Sequence, residues 1–154
     1  MPSVRIFRSA IAALLGVLLL AAAGAAKDGR DFAGVYSLTN VAEQNGKIQA
    51  TLTLQLFNYS GDDLEQAIVV VRGSNPGSDV LAAFAPIVVW RKGTEVTISQ
   101  QVTVPREEFE RWGARRQPSI AIVERHGGRE WQRTAQVNRR ATIPLGNNQP
   151  PPAQ

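Results

Sequence analysis

Three groups of side chains in this sequence are of types that could do chemistry. Asp62-Asp63-Leu64-Glu65 gathers three carboxylates in four residues, the oxygen-rich composition that a hard cation such as Ca²⁺ needs. The segment lacks the ligand count and periodicity of a calcium loop, and the same residues read as a solvated turn. Glu107, Glu108 and Glu110 are a second acidic group. Hydrolysis by paired acids needs two carboxyls facing each other across a cleft. These three fall within one helical turn beside Arg106 and Arg111, where helix-end charge complementarity accounts for them. The third is His126, the only histidine. No motif ties a serine or an acid to it, Gly-x-Ser-x-Gly is absent, and it reads as an exposed turn residue. One His and no Cys exclude disulfides, cysteine nucleophiles, thiolate metal sites and HExxH zinc sites within one chain. The expectation is a non-enzymatic protein, with no catalytic, cofactor-binding or metal-binding residue assigned and no cofactor.

Binding residues are a different matter. From Arg106 to Arg140 there are nine Arg against five Glu, whereas Lys27 to Val104 holds six basic residues against eight acidic. Basic charge therefore concentrates in the second half. Trp131-Gln132-Arg133 and Arg139-Arg140 interleave an aromatic with arginines, as on some polyanion surfaces. Single-strand nucleic-acid binders combine a basic groove with several stacking aromatics, so an ordinary charged sheet face is the simpler reading and nucleic acid is not the expected partner. Phe57 and Tyr59 fall on the polar side of a strand, as an exposed patch for a partner or as residues covered by a loop. The surface candidates are thus Phe57, Tyr59, Arg133, Arg139 and Arg140. The three tryptophans, Trp90, Trp112 and Trp131, read as core or end-cap residues.

These residues need a scaffold, and the pattern is β. In Ile48–Phe57, Ile48, Ala50, Leu52, Leu54 and Leu56 alternate with Gln49, Thr51, Thr53 and Gln55, the period of a half-buried strand. Asn45-Gly46 just before it is a two-residue hairpin signal, so 34–41 should pair antiparallel with it. Residues 65–72 are apolar on both faces, as expected of a central strand. The run 80–90 is broken by Pro86, which makes it an edge segment or two short pieces. Residues 95–104 alternate, with Gln100 the exception on the apolar face. Pro105, the acids after it and Gly113 mark the start and stop of a short helix near 105–112, with Phe109 and Trp112 on one face. Gly127-Gly128 predicts a tight hairpin between 119–125 and 130–137. About seven short strands at even spacing predict an all-β fold, an antiparallel β-sandwich.

The N-terminus reads as a signal peptide, residues 1–26. Arg5 and Arg8 precede a run of 17 apolar residues from Ala10 to Ala26, ending in small residues before Lys27-Asp28. A spanning helix needs about 20 strongly apolar residues, so cleavage is expected, with no membrane span afterwards and a periplasmic or secreted location. Residues 27–143 form the sandwich domain. Residues 144–154, with Pro150-Pro151-Pro152, read as a disordered tail.

Two segments carry a resemblance. Leu54 to Leu64 (LQLFNYSGDDL) looks like a strand, an Asn-x-Ser-Gly turn and the next strand. Ile87 to Ile98, continuing to Val104-Pro105, has a glycine turn, a Thr/Val-rich strand and then Val-Pro. Together they resemble bacterial extracytoplasmic immunoglobulin-like or fibronectin type III-like domains. That resemblance implies a spacer or binding role and carries over no catalytic residue. The expected function is an exported module that binds another envelope or secreted protein or acts structurally. The alternatives are a binder of anionic polymer or lipid surfaces through the Arg-rich half, and an enzyme inhibitor or an enzyme of unrecognised type.

Overall fold

The computed structural model describes residues 31–113, 116–126 and 128–140. The expected signal peptide, 1–26, and the expected tail, 144–154, lie outside them. The strands are β1 (Phe32–Gln44), β2 (Lys47–Asn58), β3 (Leu64–Arg72), β4 (Val80–Ala83), β5 (Ile87–Trp90), β6 (Glu95–Pro105), β7 (Ser119–His126) and β8 (Arg129–Arg139). One helix, α1 (Arg106–Gly113), follows β6. Among the described residues no helix is long and apolar enough to cross a membrane.

The fold is all-β, as expected, but the purely antiparallel sandwich is not what forms. The strands make one mixed sheet in the order β4-β3-β7-β8-β1-β2-β6, with β5 also paired to β3. It rolls up, nearly closed like a barrel, around a single main core. The departure is at β1. On one side it pairs antiparallel with β2, and on the other Ala33–Tyr36 pair parallel with Gln136–Arg139 of β8. The hairpin β1–β2 and the hairpin β7–β8 each fix their own internal direction. Docking them side by side leaves β8 running the same way as β1. The first strand is therefore interior to the sheet, between β2 and β8.

Local chemistry accounts for the elements. Asn45 and Gly46 have φ of 54° and 71°, the left-handed pair that a tight hairpin turn requires, and Gln44 faces Lys47 across it. Ile48, Ala50, Leu52, Leu54 and Leu56 are all buried. In β3, Val69 and Val71 face the main core, while Val70 joins Ala121 and Val123 in a second apolar cluster on the opposite face. The run 80–90 does split into two edge pieces around Pro86, both lying along β3. Pro105, with no N–H to donate, ends β6 and lets α1 start.

Two of the tryptophans behave as core residues. Trp90 packs on Phe32 with ring centroids 5.2 Å apart, and Trp112 meets Tyr36 edge-on at 6.2 Å. Trp131 departs from expectation, being 36% exposed on β8. Burial pushes the Tyr36 phenol pKa up, against the nearby charge of Arg139. Its hydroxyl has no hydrogen-bond partner among the described residues.

Candidate binding surfaces

The sheet has two outer edges, and they are built differently. One is β4 with β5, two four-residue strands separated by Pro86, with a register shift between Val71 and Arg72 of the partner strand. Short, interrupted and bulged strands are poor templates for further pairing. The other is β6. All 11 of its residues pair with β2 in unbroken register, from Glu95 opposite Phe57 to Pro105 opposite Lys47. No lysine, internal proline or bulge interrupts it. Among the described residues no strand pairs with its outer side. Val102 and Val104 are buried, while Val96, Ile98 and Gln100 on the same inner face are half-buried, and β4 comes near β6 without pairing with it where the sheet nearly closes.

The outward residues here are almost uncharged. Thr51, Thr53 and Gln55 of β2 lie beside Gln101, Ser99 and Thr97 of β6, and the Thr53 and Ser99 hydroxyls are 2.8 Å apart. At one end, the rings of Phe57 and Tyr59 lie 4.2 Å apart between centroids. Phe57 is half-buried and Tyr59 is 61% exposed. Of the pair only Tyr59 is exposed, and Phe57 sits directly across from Glu95 at the start of β6.

The three arginines do not form one surface. Arg133 is turned inward, its side chain 12% exposed. It lies 2.9 Å from Glu124 Oε1 and 3.3 Å from Asp31 Oδ2, with its guanidinium 5.9 Å from the Phe32 ring centroid. Arg139 and Arg140, at the end of β8, are exposed. Arg140 borders a shallow hollow with Val35, Ser37, Thr53 and Gln55.

The acidic groups have structural partners. Asp63 Oδ1 accepts the Lys92 N–H at 2.8 Å, which ties the 61–63 turn to the turn before β6. Beside it, the buried Asn58 side chain accepts from Ser60 N–H at 2.9 Å and Ser60 O–H at 2.6 Å, and donates to the Asp62 carbonyl at 2.9 Å. Asn58-Tyr59-Ser60 is the local signal for such an Asx turn. His126 is the last residue of β7 and pairs with Arg129 of β8 beside the hairpin turn. Among the described residues no three His, Asp or Glu side chains gather as metal ligands.

Glu108 does more than balance the charge of Arg111 along the helix. It is buried, and its carboxylate accepts the Trp112 Nε1–H at 2.7 Å, the Ser74 backbone N–H, and the Arg111 guanidinium at 3.1 Å. It thus fastens α1 to the loop between β3 and β4. Burial alone would raise its pKa, but the hydrogen bonds from Ser74, Trp112 and Arg111 outweigh it and hold the carboxyl below the ordinary range. Because the folded-state value lies below the unfolded one, the stabilisation is fully present above about pH 4.3 and is lost as pH falls through the folded value. Glu108→Gln is expected to cost about 1–2 kcal/mol at neutral pH and to shallow the loss of stability on acidification. Urea melts at a series of pH values check both, and an unchanged acid limb in the variant would contradict the assignment.

No protein-family model and no curated protein sequence matches the chain. Among solved structures, it is similar to a GH20 exo β-N-acetylglucosaminidase from Vibrio harveyi in complex with N-acetylglucosamine, with TM-score 0.43 and 11% identity over 75% of this chain and 19% of that one. An inactive mutant of that enzyme is similar at TM-score 0.40 and 12% identity, over 70% of this chain and 18% of the other. The chain spans about a fifth of the length of these structures.

Proposed function

We propose that this chain is an exported, non-enzymatic β-sandwich module that works by binding protein, and that the outer edge of β6 is its contact surface. The observation that carries this reading is the contrast between the two edges. One is broken by Pro86 and the other is an unbroken 11-residue strand. An unpaired, regular edge invites pairing with an extended chain, so a strand with no lysine, internal proline or bulge is best explained by use. Strand addition would supply main-chain hydrogen bonds, and the half-buried Val96 and Ile98 would receive alternate side chains of the incoming strand.

The strand order supports an immunoglobulin-like or fibronectin type III-like arrangement. The run β1-β2-β6 follows the order A-B-E, and β4-β3-β7-β8 follows C′-C-F-G. Folds of this kind carry their specificity on surfaces and not in a shared catalytic site. The competing reading, an anionic polymer or lipid bound by the Arg-rich half, keeps Arg139 and Arg140 but loses Arg133 to its internal ion pairs.

The test is a pull-down from native envelope and culture fluid at low and high salt, with the exported full chain and with Gln100→Lys. An inward lysine on an edge strand opposes pairing, and the half-buried site lets it reach solvent. The expected result is stoichiometric capture of protein that survives high salt and is lost with Gln100→Lys. Capture that ignores this substitution, or retention of polyanion alone that salt removes, would reject the β6 reading.

A further inference from the structure

The sequence of β6 reads nearly the same in both directions about Gln100. Val96 and Val104, Thr97 and Thr103, Ile98 and Val102, and Ser99 and Gln101 lie at equal distances on either side of it. We propose that the occupant of the β6 edge is a second copy of this chain. Two β6 strands pair antiparallel about a twofold axis at Gln100 and join two rolled sheets into one continuous sheet. This rests on the reading of β6 as the binding edge.

A twofold contact requires a surface complementary to itself, in which each residue meets its counterpart related by the axis. Here the counterparts are alike: valine opposite valine, threonine opposite threonine, isoleucine opposite valine. Even-numbered residues face the core and odd-numbered ones face outward. The axis at Gln100 pairs even with even, so the inner face stays continuous across the junction. A slip of one residue would set inner positions against outer ones. A slip of two would put Gln100 opposite Ile98 or Val102.

The same axis explains the residue that breaks the alternation. Gln100 is a half-buried amide on an otherwise apolar face. On the axis it lies opposite its own copy, where each amide offers a donor to the other's acceptor. The charges beyond the strand ends bear on direction. Arg91 and Lys92 precede β6, whereas Glu107 and Glu110 in α1 are balanced by Arg111 and Arg106. Antiparallel pairing sets the basic turn of one copy towards the charge-balanced helix of the other, whereas parallel pairing would set the two basic turns side by side.

The test is sedimentation equilibrium of the exported full chain across the micromolar range, with two double variants. In the proposed register Ser99 of one copy lies opposite Gln101 of the other, twice per dimer. S99K/Q101K sets like charges across the junction and is expected to weaken the dimer about tenfold or more. S99K/Q101E sets opposite charges there and is expected to hold it as well as the wild type or better. Both lose the Thr53–Ser99 hydroxyl contact, and melts of dilute protein separate any loss of folding from loss of pairing. A wild-type dimer with this sign dependence supports the proposal. A monomer throughout, or equal weakening by both variants, overturns it. If the chain is monomeric, capture of a different protein that Gln100→Lys abolishes would leave the binding role of β6 standing, and its absence would remove both readings.

Discussion

Gly34→Ala is expected to leave little folded protein. Gly34 lies in β1 between Leu56 of β2 and Val137 of β8. A Cβ there would sit 1.9 Å from the Gln55 carbonyl oxygen and 3.0 Å from the Leu56 Cα. Both obstacles are backbone, and β2 is held on its far side by β6, so neither strand can step aside without breaking a ladder. The cost should exceed about 4 kcal/mol, the range in which a substitution removes a marginal fold altogether. Gly61→Ala is the matched comparison. Nothing lies within 4 Å of the added methyl there, but φ is +83°, and the backbone penalty alone is about 1 kcal/mol. Circular dichroism and protease resistance of the two variants give the answer. A Gly34→Ala protein as stable as Gly61→Ala would mean that β1 does not run between β2 and β8.

Arg133→Ala is expected to cost about 3–5 kcal/mol, the loss typical of stripping one partner from a buried ion pair. Glu124 is 1% exposed and Arg133 lies 2.9 Å from it. The second link, to Asp31, ties β8 to the residue that leads into β1. The loss is a penalty for withdrawing Arg133 from a buried carboxylate and not a measure of what the pair adds. Glu124→Gln with Arg133→Met removes both charges together and should recover most of the stability. Denaturant midpoints for the two single variants and the pair supply the coupling energy. An Arg133→Ala variant within about 0.5 kcal/mol of the wild type, the range of ordinary surface substitutions, would place Arg133 on the surface after all.

These two sites also mark where sequence reading stops. The alternation from Ile48 to Leu56, the Asn45-Gly46 turn, the break at Pro86 and the helix between Pro105 and Gly113 are local patterns, and local physics is enough to place them. The parallel contact of β1 with β8 joins residues about a hundred positions apart, and no pattern within either strand announces it. Arg133 reads as surface because Asp31 is about a hundred positions away, and although Glu124 is its neighbour across the β7–β8 hairpin, no local pattern shows that this pair is turned inward. Glu108 reads as one of three alike helix acids, and only the docking of α1 on the Ser74 loop singles it out. The candidate edge was half legible. Its strand was visible from 95 to 104, as was the odd position of Gln100, but that β6 ends the sheet is a fact of topology.

The parallel contact has a mechanical meaning. β1 and β8 are the first and last strands described, and they lie side by side pointing the same way. Tension drawn from the start of β1 and the end of β8 therefore slides the two strands lengthwise past each other. The bonds between Ala33–Tyr36 and Gln136–Arg139, with the Arg140 N–H to Tyr36 carbonyl bond beyond them, share the load together instead of opening one at a time. The strand pair that departs from the antiparallel pattern is the one placed to act as a clamp under shear.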